Sequence, residues 1–363
     1  MRIVYAGGGT GGHINPALSV ADYVKTQDKN AEALFIGTKR GLETKLVPKA
    51  GYSIEYIDVQ GFDRKRLWRN VSTIIKLIKS DRKCIKILKE FKPDAVVCTG
   101  GYVSGPVALA AHKLGIPSLI HEQNVYPGLT VKGAEKYVNY VAVSFEETIN
   151  YMSDKKKCVV TGNPVRVEIA KAAEKPLAES GKKPLVLVFG GSLGAEKINT
   201  TMIDVVKKAV KTKKFRLLFG TGERNYEKVK NALGEINSED IKVVPYIDNM
   251  AEVMAQADVV VSRSGAITVS EIAVLGKPSI LIPSPNVVRN HQEQNAREIE
   301  KNNACVVICE NELSSELLYN KIEELIESPE ERLVMGRNVR KMGIKDATGK
   351  IYNLILKMTN KEM

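Results

Sequence analysis

The chain has 363 residues, of which 44% are hydrophobic, and this length and composition predict roughly two globular domains with ordinary cores. No stretch approaches the ~18 uninterrupted apolar residues of a membrane-spanning helix, and the first apolar run is too short for a secretory signal. The net charge is +12, which leaves nucleic acid and anionic membranes open as partners. Five scattered cysteines and four dispersed histidines indicate neither a disulfide framework nor a metal site.

Apolar runs alternate with amphipathic segments along the whole chain, which predicts an α/β fold with parallel sheets. The runs are continuous and rich in Val, Ile and Leu, as strands buried on both faces are. Similar numbers of runs in the two halves predict a duplicated architecture rather than one large sheet. We predict strands at 2–6, 33–37, 54–58, 95–99, 117–120 and 140–144, and then at 185–189, 215–219, 241–245, 258–262, 278–282 and 304–308.

A glycine-rich turn follows an apolar run three times, at 7–12, 100–105 and 190–194. Missing Cβ atoms let the backbone approach a ligand, and the N–H groups of a following helix N-terminus point at an anion. One such turn is a weak signal. Three of them, with one opening each half, predict two nucleotide-binding folds that face each other across a phosphate-binding cleft.

The first turn also fits the GxGxxG pattern of dinucleotide-binding folds, with glycines at Gly7, Gly9 and Gly12. The NAD version needs an acidic residue at the end of the second strand, where it binds the ribose. Lys39 and Arg40 stand there instead, and these cations leave an NADP interpretation open.

His13 follows the first glycine turn directly. Histidine titrates near neutral pH, so a histidine beside a phosphate-type turn is a candidate general base. The alternative is an ordinary loop histidine whose ring is satisfied by local hydrogen bonds.

The second half has its strongest local signal after the run at 258–262. A helix begins near Ala266 at the carboxyl end of that strand, where its N–H groups and dipole suit a diphosphate. Glu271, one turn into the helix, is a candidate for a ribose hydroxyl, with an ordinary surface acid as the alternative. Gln292 opens a later helix and suits sugar hydroxyls because an amide donates and accepts, with simple capping polarity as the alternative.

The segment from Gly61 to Lys92 has 11 Lys and Arg and 3 Asp and Glu, which makes it +8. Such a patch suits nucleic acid or an anionic membrane, or is simply a solvated helix face. Nucleic acid is disfavoured because no aromatic residue beyond Trp68 interleaves with the cations. Helical spacing predicts that one apolar face of this segment packs into the core, namely Val71, Ile74, Ile78, Ile85 and Leu88.

The domain boundary is predicted near 161–166, where the sequence reads TGNPVR. Residues 1–163 then form the first domain and residues 164–345 the second. Ser328 and Pro329 predict a capped helix start. A last helix at 346–358 is a candidate to pack back across the linker, so 346–363 forms a third segment.

Several motifs fall in the same order as in one known family: the first glycine turn with His13, Gly100–Pro106, His121–Asn124, Gly162–Arg166, Gly190–Ser192 and Ser264–Glu271. As a set they resemble the MurG family of bacterial peptidoglycan N-acetylglucosaminyltransferases, over essentially the whole chain. The resemblance implies the GT-B fold, in which two Rossmann-like domains with parallel sheets face each other across a cleft.

The family's reaction transfers N-acetylglucosamine from UDP-N-acetylglucosamine to the 4-hydroxyl of the muramyl sugar of lipid I. The anomeric centre inverts, and lipid II and UDP result. The resemblance implies peptidoglycan synthesis at the cytoplasmic face of the cell membrane, by a peripheral protein that touches the anionic inner leaflet. It also implies cell-wall synthesis or division proteins as partners, and no nucleic acid.

The resemblance assigns donor-binding roles by position. Ile247 would act through its backbone on the uracil, and the other donor residues would contact the diphosphate, ribose and sugar. The implied UDP-N-acetylglucosamine site comprises Thr10, Gly11, Gly12, Asn124, Arg166, Ser192, Ile247, Ala266, Ile267, Thr268, Val269, Ser270, Glu271 and Gln292.

The acceptor and the chemistry are assigned to the first domain. His13 is the preferred base for the attacking hydroxyl, and Glu122 is the runner-up. No Asp-x-Asp motif stands where a donor diphosphate would lie, so neither a metal nor another cofactor is expected. The acceptor diphosphate would meet Gly8, Gly9, Gly100, Gly101, Tyr102 and Ser104, and the membrane would meet Leu67, Trp68 and Leu77.

Overall fold

The structure is a computed structural model that describes residues 1–61, 70–174, 183–191, 194–236 and 238–360. The chain divides into two compact units. The first comprises Met1–Val165 together with Asp346–Met363, and the second comprises Arg166–Lys345. Each unit is built on its own parallel sheet.

The sheet of the first unit has seven parallel strands among the described residues, in the order β3-β2-β1-β4-β5-β6-β7. Tyr5 on the central strand pairs with Phe35 on one side and Val97 on the other. The order reverses between β1 and β4, so the loops after these two strands open at the switch point where such sheets bind ligands. The strands are β1 Arg2–Ala6, β2 Glu32–Gly37, β3 Ser53–Tyr56, β4 Ala95–Cys98, β5 Ser118–Glu122, β6 Tyr140–Val143 and β7 Cys158–Val160.

Helices cover both faces of this sheet, and each face has its own buried cluster. Val4 and Val96 lie in one cluster, whereas Tyr5 and Val97 lie in the other, as the two-residue period of a strand requires. The helices are α1 Gly11–Gln27, α2 Glu43–Lys49, α3 Asn70–Phe91, α4 Ser104–Lys113 and α5 Leu129–Ala134.

The sheet of the second unit repeats this design, with six described parallel strands in the order β10-β9-β8-β11-β12-β13. Val188 on the central strand pairs with Phe219 and Val261. The switch point therefore lies between β8 and β11. The strands are β8 Leu185–Phe189, β9 Arg216–Gly220, β10 Ile241–Val244, β11 Val259–Ser262, β12 Ser279–Leu281 and β13 Val306–Val307.

The helices of the second unit begin where the sequence offers start signals. Ser328 caps the last of them by accepting a hydrogen bond from the Glu331 N–H at 3.3 Å, and Pro329 takes the first helical position. The helices are α6 Val167–Ala172, α7 Glu196–Thr212, α8 Tyr226–Leu233, α9 Met250–Gln256, α10 Ala266–Leu275, α11 His291–Glu300, α12 Ser315–Glu327 and α13 Pro329–Met342.

Helix α14, Ala347–Met358, belongs to the first unit although it ends the chain. Its N-cap is Asp346, whose Oδ1 accepts from the Gly349 N–H at 3.2 Å. Ile351 and Ile355 are buried in the same cluster as residues of α1. The last helix therefore completes the core of the unit that the chain began.

The predicted pair of parallel sheets is confirmed, and each of the twelve predicted strands is present with ends within two residues of the prediction. Strand β7 was not predicted, because it is short and follows three consecutive lysines. The described residues include all five cysteines, and their thiols are free.

The predicted core face of α3 is wrong at Ile78, which is 50% exposed. The buried side of this helix contains Ser80, Cys84 and Leu88 instead. At 3.6 residues per turn, Ile78 lies about 120° around the helix from Cys84, so it points away from the core. Ile85 is half-buried, and the side chains of Val71 and Ile74 lie outside the described residues.

Candidate functional site

The first two glycine turns pack against each other at the carboxyl edge of the first sheet. Gly101 adopts a φ of +74°, and a Cβ there would lie 2.5 Å from the Gly8 carbonyl oxygen. Only glycine allows this backbone contact. Two turns that are more than 90 residues apart in the sequence thus form one backbone surface at the switch point.

His13 lies on this surface with a defined ring orientation. Its Nδ1 is 3.1 Å from the Gly8 carbonyl oxygen. A carbonyl oxygen can only accept, so Nδ1 must donate, and the lone pair of the neutral ring then resides on Nε2. A Cβ on Gly100, whose φ is +101°, would lie 3.1 Å from Nε2. Glycine at this position therefore leaves space beside the basic nitrogen.

The start of α1 lies next to this histidine. Thr10 is the N-cap residue, and its side chain makes no capping hydrogen bond to the described residues of the helix. Its Oγ1 lies 3.4 Å from His13 Nδ1. Thr10 and Gly12 are exposed and Gly11 is half-exposed, so the first N–H groups of α1 are accessible to an anion.

Two predicted acceptor residues have different environments. Tyr102 is 60% exposed beside the second turn. Ser104 is buried, and its Oγ accepts from the Gly100 N–H at 3.0 Å and lies 2.8 Å from the Gly100 carbonyl oxygen. The Ser104 hydroxyl therefore stabilises the second turn through both backbone polar groups of Gly100.

Glu122 ends strand β5 and is buried. Its Oε1 accepts from the Asn124 N–H at 2.9 Å, and its Oε2 accepts from the Gly128 N–H at 2.7 Å. Burial raises the pKa of this carboxyl, and the hydrogen bonds from Asn124 and Gly128 act against that rise. Both oxygens are engaged in shaping the loop that presents Asn124.

His121 is also buried, and both of its ring nitrogens make hydrogen bonds to neighbouring segments of the first unit. Its Nε2 lies 2.9 Å from the Gly162 carbonyl oxygen, and Nδ1 lies 3.0 Å from Gln123 Nε2. Burial lowers the pKa of His121 to about 4, so the ring is neutral at ordinary pH. This histidine has a structural role rather than a role in proton transfer.

Sequence reasoning missed Glu43, which is completely buried beneath the first glycine turn. Its Oε2 accepts from the Gly9 N–H at 2.9 Å, and its Oε1 accepts from the Thr38 N–H at 2.9 Å. The sequence shows only an acidic residue in the first turn of a short helix, which is an ordinary feature.

In the second unit, α10 begins directly after strand β11. Its N-cap is Gly265, so no described side chain caps the helix. The first three residues, Ala266 to Thr268, are half-buried, which leaves their N–H groups accessible. Val269 is buried in the core, and the Ser270 hydroxyl donates to the Ala266 carbonyl at 2.8 Å. The uncapped N-terminus and its dipole suit an anionic ligand.

Glu271 and Arg166 form a bidentate ion pair beside this helix start. Arg166 Nε donates to Oε1 at 2.7 Å, and Nη2 donates to Oε2 at 3.0 Å. The Glu271 side chain is 4% exposed and that of Arg166 is 44% exposed. Burial raises the pKa of Glu271, and the guanidinium acts against that rise. The pair thus joins residues 105 positions apart and retains carboxylate lone pairs for further donors.

Gln292 faces the loop after strand β12. Its Oε1 accepts from the Ser284 N–H at 2.9 Å, and its backbone carbonyl accepts from the Ser264 hydroxyl at 2.8 Å. Among the described residues Nε2 has no hydrogen-bond partner, so its two N–H groups are available to a ligand oxygen. Ile247 is buried against Gly220, where a Cβ would lie 3.0 Å from Ile247 Cδ1.

Three predicted site residues, Ser192, Leu67 and Trp68, lie outside the described residues. Leu77 on α3 is half-buried. None of the helices in the described ranges is both long enough and apolar enough to cross a membrane. Within the same ranges, no three His, Cys, Asp or Glu side chains form a group that could hold a metal.

Comparison with protein families gives two matches that together cover most of the chain. Residues 3–143 match the glycosyltransferase family 28 N-terminal domain. Residues 185–351 match the glycosyltransferase family 28 C-terminal domain. The first match covers strands β1 to β6 of the first sheet and ends before β7, and the second match covers strands β8 to β13.

Curated relatives match over nearly the full length. The Acetivibrio thermocellus protein named UDP-N-acetylglucosamine--N-acetylmuramyl-(pentapeptide) pyrophosphoryl-undecaprenol N-acetylglucosamine transferase is 46% identical, over 98% of this chain and 97% of its own. A Thermoanaerobacter sp. protein with the same name is 48% identical, over 99% of this chain and 100% of its own.

Among solved structures, MurG of Acinetobacter baumannii superposes with a TM-score of 0.80 at 27% identity, covering 98% of this chain and 99% of its own. A structure of Staphylococcus aureus MnaA with UDP has a TM-score of 0.68 at 17% identity, covering 99% and 97%. The second likeness shows the fold alone.

Proposed function

The chain belongs to glycosyltransferase family 28, and from that membership we propose that it transfers N-acetylglucosamine from UDP-N-acetylglucosamine to the muramyl 4-hydroxyl of lipid I. The observation that carries this proposal is identity of 46–48% over nearly the whole chain to relatives named for that transfer. The family resemblance and the GT-B fold predicted from the sequence are confirmed. The products are lipid II and UDP, with inversion at the anomeric carbon.

The second unit binds the donor in this proposal. The uncapped N-terminus of α10 stabilises the diphosphate, whose negative charge increases as UDP leaves. Glu271, held by Arg166, accepts from a ribose hydroxyl, and the free N–H groups of Gln292 donate to sugar oxygens. This division is supported by the accessible helix start, the oriented carboxylate and the amide with unused donors.

The first unit supplies the base and binds the acceptor in this proposal. Nε2 of His13 takes the proton of the 4-hydroxyl, the hydroxyl oxygen bonds to the anomeric carbon, and the bond from that carbon to the diphosphate oxygen breaks. The two glycine turns then hold the acceptor diphosphate through backbone N–H groups other than those of Gly9 and Gly100, which donate to Glu43 and Ser104. The orientation of Nδ1 toward Gly8 supports His13 as base, and the engaged oxygens of Glu122 disfavour the runner-up.

Product analysis with labelled UDP-N-acetylglucosamine and a lipid I analogue tests the reaction. We expect one β-linked N-acetylglucosamine per acceptor and one UDP released for each transfer. UDP-glucose and UDP-galactose serve as matched donors that lack the acetamido group. Folded protein that binds UDP but makes no disaccharide product would contradict the proposed reaction, and reduction of a substrate by NADPH would favour the dinucleotide alternative.

We further propose that the protein docks on an anionic membrane surface, at the cytoplasmic face, through α3. Ile75 and Ile78 on this helix are 49% and 50% exposed. Lys79 and Arg82 are exposed on the same helix, and within the described part of the chain they have no charge partner. An apolar surface beside unpaired cations suits a lipid headgroup layer.

Reversing both charges, with Lys79→Glu and Arg82→Glu, should release the protein from anionic vesicles. Each cation near an anionic surface contributes about 1 kcal/mol, so the double variant should bind ~30-fold more weakly or worse. The measurement is co-sedimentation with vesicles of phosphatidylglycerol and phosphatidylcholine at several salt concentrations. Lys207→Glu with Lys211→Glu on α7 is the control with equal charge change. Equal binding to neutral and anionic vesicles would refute the electrostatic account.

A further inference from the structure

The buried Glu43 carboxylate and His13 hydrogen-bond to opposite edges of one peptide group. The Gly9 N–H donates to Glu43 Oε2 at 2.9 Å, and the Gly8 carbonyl oxygen lies 3.1 Å from His13 Nδ1. That N–H and that carbonyl belong to the same Gly8–Gly9 peptide bond. Peptide bonds among the described residues are all trans, so the two groups point in opposite directions. Glu43 and His13 are therefore linked through this peptide group.

Glycine positions hold the Glu43 side chain in one place. A Cβ on Gly8 would lie 2.8 Å from Oε1, and a Cβ on Gly37 would lie 2.6 Å from Cγ. A Cβ on Gly41 would also overlap the carboxylate. Three glycines thus leave a slot that the glutamate fills, which explains their presence at positions with ordinary negative φ.

The hydrogen-bond partners of the Glu43 carboxyl group are all donors. Oε2 accepts from the Gly9 N–H, while Oε1 accepts from the Thr38 N–H at 2.9 Å and the Thr38 hydroxyl at 2.8 Å. An amide in place of the carboxylate would direct an NH₂ group at one of these donors, whichever way it turned. Glutamine therefore fits the slot by volume but leaves either the Gly9 N–H or the half-buried Thr38 N–H without its acceptor.

A carboxylate bound to a peptide N–H polarises that peptide and makes its carbonyl a stronger acceptor. A stronger acceptor at Gly8 favours the ring form in which Nδ1 carries the proton and Nε2 carries the lone pair. The arrangement resembles a carboxylate that orients a histidine base directly, with one peptide group inserted between them.

We propose that Glu43 is a positioning residue for the transfer reaction, acting on the orientation and ring form of His13 through the Gly8–Gly9 peptide. The proposal rests on the proposed function for the role of His13 as base. Glu43 is completely buried beneath the first glycine turn, so its removal should lower turnover without weakening donor binding.

The first test reads the ring of His13 directly in the wild-type protein. The chain has four histidines, so ¹⁵N-histidine spectra can be assigned with His13→Gln. At a pH where the ring is neutral, we expect a protonated Nδ1 and an unprotonated Nε2 at His13. A predominantly Nε2-protonated His13 would overturn the proposal. This measurement needs no Glu43 variant to fold and no enzymatic activity.

The second test compares Glu43→Gln with Glu55→Gln, which changes the charge equally at an exposed position on β3. We expect Glu43→Gln to lower kcat ~10- to 100-fold, to leave the KM for UDP-N-acetylglucosamine within about twofold, and to mix the two ring forms of His13. Glu55→Gln should match the wild type. Unchanged kcat and an unchanged His13 spectrum in Glu43→Gln would refute the proposed positioning role of Glu43. Full activity of His13→Ala would instead refute the role of His13 as base. The spectra would still show whether Glu43 controls the ring form of His13 through the Gly8–Gly9 peptide.

Discussion

Replacing His13 with alanine is expected to lower kcat by about two to four orders of magnitude, which is the usual cost of losing a general base. The reason is geometric as well as chemical. Nδ1 is committed to the Gly8 carbonyl at 3.1 Å, so the lone pair of the neutral ring lies on Nε2, the nitrogen proposed to take the proton of the sugar hydroxyl. Donor affinity should change little, because the proposed UDP contacts on α10 and α11 lie in the second unit.

Steady-state kinetics with a soluble lipid I analogue, together with calorimetric titration of UDP, separates turnover from donor binding. His112→Ala is the matched control, because His112 is an exposed histidine on α4 of the same unit. Full activity in His13→Ala together with an inactive Glu122→Ala would transfer the base role to Glu122. That outcome would require a carboxylate that now accepts from Asn124 and Gly128 to exchange those bonds during the reaction.

The fold could be predicted from the sequence because parallel strands buried on both faces leave continuous apolar runs. The continuous apolar runs also located the three glycine turns, because each turn follows one of the central strands β1, β4 and β8. Strand order was needed to show that the turns after β1 and β4 meet, and the sequence alone does not reveal that order. The contact of Gly101 with Gly8 is therefore a result of topology and of the positive φ of Gly101.

The features that sequence reasoning missed depend on contacts between distant residues. Glu43 is 34 residues from Gly9, and nothing in its neighbourhood distinguishes it from an ordinary acid at a helix start. Ile78 was assigned to the core from spacing, but it lies about 120° around α3 from the buried Cys84 and is exposed. The burial of Glu43 and the exposure of Ile78 both depend on contacts with distant parts of the chain, so they became evident only in the structure.

Three buried glutamates each organise one loop at a carboxyl edge. Glu43 fixes the first glycine turn, Glu122 fixes the loop that presents Asn124, and Glu271 fixes Arg166. In every case both carboxylate oxygens accept hydrogen bonds, which offsets the cost of burying a charge. Only the Glu271 pair is proposed to contact a substrate, because its partner is half-exposed and lies beside an uncapped helix start.

Glu271→Ala is expected to weaken UDP-N-acetylglucosamine binding about tenfold to hundredfold. A hydrogen bond to a charged group contributes about 1.5–3 kcal/mol, and the variant loses the acceptor for the ribose and the anchor for Arg166. The measurement is the dissociation constant from calorimetric titration. Glu271→Gln keeps the shape and one acceptor oxygen, so its dissociation constant should lie between those of Glu271→Ala and the wild type. Glu239→Ala removes an exposed acid from the same unit and should bind like the wild type.

The two halves of the ion pair should respond differently to removal, and this asymmetry separates binding from folding. Arg166→Ala leaves a buried carboxylate unpaired, whereas Glu271→Ala leaves a guanidinium that is already 44% exposed to water. Arg166→Ala should therefore lower the melting temperature more than Glu271→Ala does. Its free-energy cost should still fall below the ~3–5 kcal/mol of a fully buried pair, because water reaches the arginine side. Unchanged donor affinity in both variants would place the ribose site elsewhere, and equal melting temperatures would contradict the buried state of Glu271.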